Sequence, residues 1–158
     1  MNVSTLLDRA KAQNVMIATA ESCTGGMVAA ALTDIPGSSA VVDRGFVTYT
    51  NAAKQQMLGV QADTLAAHGA VSEQVAREMA EGALAHSQAQ LAVSITGIAG
   101  PGGSEFKPEG RVCFGLAAKG HETRTETVEF GAPGRDAVRR AARDHALDLL
   151  SDGLSRIA

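Results

Sequence analysis

Val15-Met16-Ile17-Ala18-Thr19-Ala20-Glu21-Ser22-Cys23-Thr24-Gly25-Gly26-Met27 runs from apolar residues into a short polar turn and then through two glycines. The apolar start, Val15–Thr19, reads as a buried strand, and the alanine-rich stretch from Met27 to Thr33 reads as a helix. A strand, a glycine loop and a helix in succession form the elementary unit of an α/β fold. In such folds ligands collect at the carboxyl ends of the strands, which is where the Glu21–Gly26 turn falls.

The rest of the chain extends this unit in both directions. Upstream, Val3, Leu6, Leu7 and Ala10 recur at helical spacing over residues 3–13. Downstream, the turn chemistry of Asp34–Ser39 leads to a strand over Val41–Tyr49. Asn51 is positioned to cap a helix through Leu58, and Gly59 to end it. A short helix over Asp63–Ala67 closes at His68-Gly69. Ser72 then opens an amphipathic helix to His86, with Val75, Met79, Ala83 and Leu84 on one face. Leu91–Ile95 reads as a second buried strand, and a glycine-rich irregular stretch occupies 96–110. Arg111–Lys119 and Glu122–Phe130 read as a hairpin around Gly120-His121, followed by a helix over Arg135–Ser155. The expected architecture is a single domain, 1–158. It is a three-layer α/β/α sandwich with a mixed, mostly parallel sheet and a late antiparallel hairpin.

Composition narrows the function. The 158 residues suffice for a continuous core, and aromatics make up only 3% of them. The core must therefore be built from small and branched aliphatics. A net charge of −3 without a basic block argues against binding long nucleic acid, although one or two arginines suffice for a small anionic ligand. Cys23 and Cys113 lack a metal-ligand spacing and read as free thiols of a reducing compartment. The first residues lack the features of a signal peptide, and no apolar run reaches membrane-spanning length. The expectation is a cytoplasmic protein with no membrane partner, no metal and no cofactor.

Ser22 is the first candidate for chemistry. It lies where free N–H groups at a helix start could hold an oxyanion, and glycines let the backbone approach a ligand. Spacing alone leaves helix capping by Ser22 or Thr24 equally open. Cys23 competes as a nucleophile, since a nearby helix start is expected to lower its pKa. None of His68, His86, His121 and His145 stands in an evident partner loop; His68 reads as a helix-ending residue. A serine needs a base. Lys54 is the candidate, because a cap at Asn51 puts it in a first helical turn, where the dipole disfavours a cation. Tyr49 could relay the proton or orient the amine. Alternatively, Lys54 is a solvated surface residue. Candidate substrate contacts are Glu21, Thr24, Gly25 and Gly26 of the turn and Thr96, Gly97 and Gly100 of the loop, together with Arg135 and Arg139 one helical turn apart.

Four ordered stretches together are more telling than any alone. They are Ala20–Gly26; Gly45-Phe46-Val47-Thr48-Tyr49-Thr50-Asn51 with Lys54; His68-Gly69-Ala70-Val71-Ser72; and Ser94-Ile95-Thr96-Gly97-Ile98-Ala99-Gly100-Pro101. Across nearly the whole chain they resemble the CinA C-terminal domain family. Thr50 stands where that family commonly has serine. Stand-alone members hydrolyse the carboxamide of nicotinamide mononucleotide to nicotinate mononucleotide and ammonia. The resemblance therefore implies an amidase of pyridine-nucleotide recycling with an α/β/α fold and no metal. It implies Ser22 as nucleophile, Lys54 as base and Tyr49 as helper. The additional amino-terminal domain of larger members has no counterpart in this chain. The expected partner is a small nucleotide substrate, and a homo-oligomer, with a dimer favoured, is the expected assembly. A Cys23-dependent hydrolase, a non-catalytic nucleotide-binding module and an amidase for another nucleotide-like amide remain open alternatives.

Overall fold

The structure, a computed structural model, describes residues 2–104 and 106–158. Its elements in chain order are α1 (Val3–Ala12), β1 (Ile17–Glu21), α2 (Met27–Thr33), a 3₁₀ turn (Ser38–Ala40), β2 (Val42–Val47), α3 (Asn51–Leu58), α4 (Ala62–His68), α5 (Glu73–Ala85), β3 (Leu91–Gly97), β4 (Arg111–Ala118), β5 (Arg124–Glu129) and α6 (Arg135–Ile157). The strands form one sheet in the order β2-β1-β3-β4-β5. β1 pairs parallel with both β2 and β3, whereas β3–β4 and β4–β5 are antiparallel. The sheet is thus mixed, as expected. Its pairings divide evenly, although four of the five strands point the same way.

Alternation along the strands builds the layers. Ile17, Val93 and Ile95 face one side and pack with Leu6, Leu7, Val28, Leu32 and the α6 residues Val138, Ala142, Leu150 and Leu154. Ala18, Ala20 and Ala92 face the other side, against Val75, Met79 and Ala83 of α5 and Leu58 of α3. Helices α1, α2 and α6 cover the first face, and α3, α4 and α5 the second. Leu147, Leu150 and Leu154 are spent in the core, with Leu149 packed against it. Small residues bring α5 close to the sheet. Ser94 Oγ donates to Ala76 O at 2.6 Å, and a Cβ on Gly115 would stand 2.5 Å from the same carbonyl.

Several boundaries differ from the sequence reading, each for a long-range reason. β1 begins at Ile17 rather than Val15 and runs through Glu21, because Glu21 is in register with both Val47 and Ile95. β3 continues to Gly97, since Thr96 and Gly97 pair with Cys113 and Val112; the irregular stretch therefore begins at Ile98. The cap of α3 is Thr50, whose side chain accepts from Ala53 N, and Asn51 is the first helical residue.

Candidate active site

The strand ends converge on a cavity of about 330 Å³, within the range of small-ligand pockets. Its wall includes Ser22, Cys23, Tyr49, Asn51, Lys54 and Arg135, with the segment from Thr96 to Ser104 opposite. Ser22 follows β1 directly, and its N–H donates to Ile95 O at 2.9 Å, so the sheet fixes its backbone. A tight turn follows, in which Gly25 N donates to Ser22 O at 3.0 Å. Gly25 and Gly26 have φ of +57° and +109°, a left-handed pair that other residues adopt only with strain.

Lys54 projects from α3 into this end of the core and is 1% exposed. Its Nζ lies 3.1 Å from Ser22 Oγ, 3.0 Å from Thr48 O and 3.5 Å from Tyr49 O. Burial away from water holds its pKa below the ordinary lysine value, opposed by the neighbouring Cys23 sulfur. The sequence reading ascribes such a shift to the helix dipole together with any burial. With the cap at Thr50, Lys54 sits beyond the first turn, and loss of hydration is the larger cause. The two carbonyls can only accept, but the serine hydroxyl can do either. An ammonium donates to all three. A neutral amine keeps both carbonyl bonds and takes the Ser22 proton on its lone pair. The same geometry therefore serves both protonation states without rearrangement.

Cys23 also touches the cavity, but burial pushes its thiol up to about 11, against the lowering expected from a helix start. Tyr49 is exposed; its hydroxyl accepts from Arg135 Nη2 at 2.8 Å. Arg135 Nη1 donates to Gly100 O at 2.7 Å, so one guanidinium bridges the two walls. Thr96 and Gly97 line the floor, the former donating to Ala70 O. Gly100 has φ +92° and lies against Glu109, whose Oε1 accepts from Gly102 N at 2.6 Å. Among the described residues no histidine lines the cavity, and His68 closes α4.

Five of the residues read as substrate contacts stand outside the cavity wall: Glu21, Thr24, Gly25, Gly26 and Arg139. Glu21 is fully buried. Its Oε1 accepts from Thr24 Oγ1 (2.6 Å), Gly26 N (3.2 Å) and Val28 N (2.9 Å), and its Oε2 from Ala29 N (3.0 Å). The amino terminus of α2 is thus filled by the protein's own carboxylate. Arg139 turns to the main chain, with Nε donating to Cys23 O at 3.0 Å and Nη2 to Thr24 O at 3.5 Å. Asn51 lines the cavity although its sequence context suggested only a cap. Ala70 and Val71 belong to a stretch singled out in the sequence without a role at the site, and they line the cavity only because the fold brings them against Thr96 and its loop; Glu109, outside the wall, acts within that loop on Gly102.

A profile of the CinA C-terminal domain matches residues 2–154. The chain belongs to the CinA C-terminal domain family. Among its CinA-related sequences is the nicotinamide-nucleotide amidohydrolase PncC of Escherichia coli strain K12. The two are 57% identical over 141 residues, covering 89% of this chain and 85% of that one. A CinA-like protein of Chlorobium phaeobacteroides is also 57% identical, over 77% of this chain but 30% of its own length. The crystal structure of competence/damage inducible protein CihA from Agrobacterium tumefaciens superposes with a TM-score of 0.89. It is 49% identical and covers 97% of this chain and 95% of its own. Among the described residues of this CinA-family chain, no helix is long and apolar enough to cross a membrane.

Proposed function

We propose that this chain is a nicotinamide-nucleotide amidase that hydrolyses the carboxamide of nicotinamide mononucleotide through Ser22 and Lys54. The observation that carries the proposal is the buried Lys54 amine 3.1 Å from Ser22 Oγ, in the wall of a nucleotide-sized cavity. The substrate assignment draws on relatives named nicotinamide-nucleotide amidohydrolase, 57% identical over most of both chains. Two buried free cysteines accord with a cytoplasmic setting.

Neutral Lys54 takes the Ser22 proton as Oγ attacks the carboxamide carbon, and the carbonyl electron pair moves onto oxygen. The tetrahedral intermediate re-forms its carbonyl and expels the amine, which takes the proton from Lys54 and leaves as ammonia. Water, deprotonated by Lys54, then attacks the acyl-enzyme and restores Ser22. The Thr48 and Tyr49 carbonyls hold the amine through every step. Tyr49 thus helps through its main chain, while its hydroxyl, tied to Arg135, frames the mouth. Arg135 and the loop after Gly97 form the side suited to a phosphate.

Ammonia release from nicotinamide mononucleotide is the test. Wild type turns over, and its kcat/KM climbs with pH along a limb below 10.5, as the lysine loses its proton. Ser22→Ala and Lys54→Ala each lose about 10³-fold or more. Full activity in either variant rules out the dyad. Tight mononucleotide binding without ammonia release identifies a non-catalytic module instead.

A further inference from the structure

The turn after Ser22 has an accounting that singles out two donors. Buried main-chain groups need partners. Ser22 N–H goes to Ile95 O, Gly25 N–H to Ser22 O, and Met27 N–H to Thr24 O. Gly26, Val28 and Ala29 N–H groups go to Glu21. The Cys23 and Thr24 carbonyls accept from Arg139. Among the described residues, the Thr24 N–H has no protein acceptor, and the Cys23 N–H has only its own thiol sulfur. They directly follow the proposed nucleophile; Cys23 is part of the cavity wall, and Thr24 is fully buried next to it.

We propose that the Cys23 N–H, on the cavity wall, receives the oxyanion with the Thr24 N–H buried behind it, and that Arg139 is the positioning residue that aims them. The inference rests on the hydrolytic reading of Ser22 and assigns its charge-stabilising partner. In a trans peptide the N–H points opposite to the C=O. Arg139 on Cys23 O therefore turns the Thr24 N–H away from α6, and polarises it. Its longer contact to Thr24 O steadies the next peptide, whose Gly25 N–H pins Ser22 O. That fixes the Ser22–Cys23 peptide and hence the Cys23 N–H. Glu21 occupies the competing amides of α2, so the oxyanion cannot be shared with the helix start. Arg139 sits one helical turn beyond Arg135, and α6 thereby supplies one arginine to the cavity and one to the turn.

The test uses the full chain and two reactions. One is ammonia release from nicotinamide mononucleotide. The other is phosphonylation of Ser22 by an uncharged fluorophosphonate, in which Oγ displaces fluoride and Lys54 takes the proton. Arg139→Ala lowers kcat by about 10- to 100-fold with KM changed less than twofold, the scale of a weakened oxyanion hole. Phosphonylation slows in parallel, and added guanidinium restores part of both rates. Arg139→Lys, with a single ammonium in place of the fork, shows a smaller loss. A KM increase at unchanged kcat makes Arg139 a substrate contact and overturns the proposal, as do unchanged rates in both reactions. Reduced thermal stability with wild-type phosphonylation also overturns it. If Arg139→Ala does not fold, Arg139→Lys decides, and wild-type rates there reject the role. If wild type releases no ammonia, the substrate reading fails on its own, and phosphonylation still judges Arg139.

Discussion

Two side chains at the end of β1 set the character of the site by what burial does to them. Lys54 is a cation deprived of water and of any carboxylate partner in its immediate contacts, so its proton is held loosely. Cys23 meets the same medium with the opposite result, because there the charged form is the deprotonated one. One environment therefore favours the neutral form of both a lysine and a neighbouring thiol. Cys23→Ala is expected to keep ammonia release within about threefold of wild type, since the main-chain N–H survives the change. Iodoacetamide should label wild-type Cys23 slowly at pH 8, since its thiol is pushed to about 11. Loss of turnover in Cys23→Ala would transfer the nucleophile to the thiol.

At the scale of elements, the site depends on how closely α3 can lie against α5. Gly82 of α5 is the contact point, where an added Cβ would stand 2.0 Å from Leu58 O at the end of α3. Lys54 is one turn earlier on that helix. Gly82→Ala is therefore expected to push α3 outward, costing roughly 1–3 kcal/mol in overpacking and dragging the amine from Ser22. Urea unfolding and ammonia release should fall together in this variant, and wild-type turnover despite lower stability would uncouple helix packing from the dyad. The irregular stretch after β3 is held in a comparable way. Lys107 Nζ donates to His68 O and Val71 O, and Glu109 accepts from Gly102 N. Lys107 thus ties the loop opposite Ser22 to the chain behind it, and Glu109 braces the loop on itself.

For the molecule as a whole, the buried lysine is a stability cost that pH can relieve. Its folded pKa lies below its unfolded value, so between the two the unfolded chain binds more protons, and stability rises with pH in that window. Below the folded value the penalty is present in full. Lys54→Met removes it, and is expected to unfold at higher urea concentration than wild type at pH 7 while losing turnover. That advantage shrinks as pH rises toward 10.5, the ordinary lysine value. An advantage independent of pH would trace the gain to side-chain packing alone. On the proposed mechanism, the protein keeps a destabilising group where its chemistry needs one.

Periodicity and glycine placement sufficed to find each helix and strand, because the signals they use, alternation, caps and breakers, are local. The β1–turn–α2 unit and the Ser22 position could be read directly from Val15–Met27. Local signals do not carry register, and so the ends of β1 and β3 and the cap of α3 moved when their partners were in place. The roles of Glu21 and Arg139 moved furthest. In sequence a carboxylate and a guanidinium near a glycine turn look like ligand groups, and only folding shows that backbone amides and carbonyls have already claimed them. The sequence by itself determined the element order, the aliphatic core and the residue types at the site, since these depend on neighbours in the chain. Tertiary structure alone decided that Lys54, 32 residues from Ser22, is stripped of water and placed against its hydroxyl. Burial and distance arise from elements packed together, and no stretch of the chain contains them.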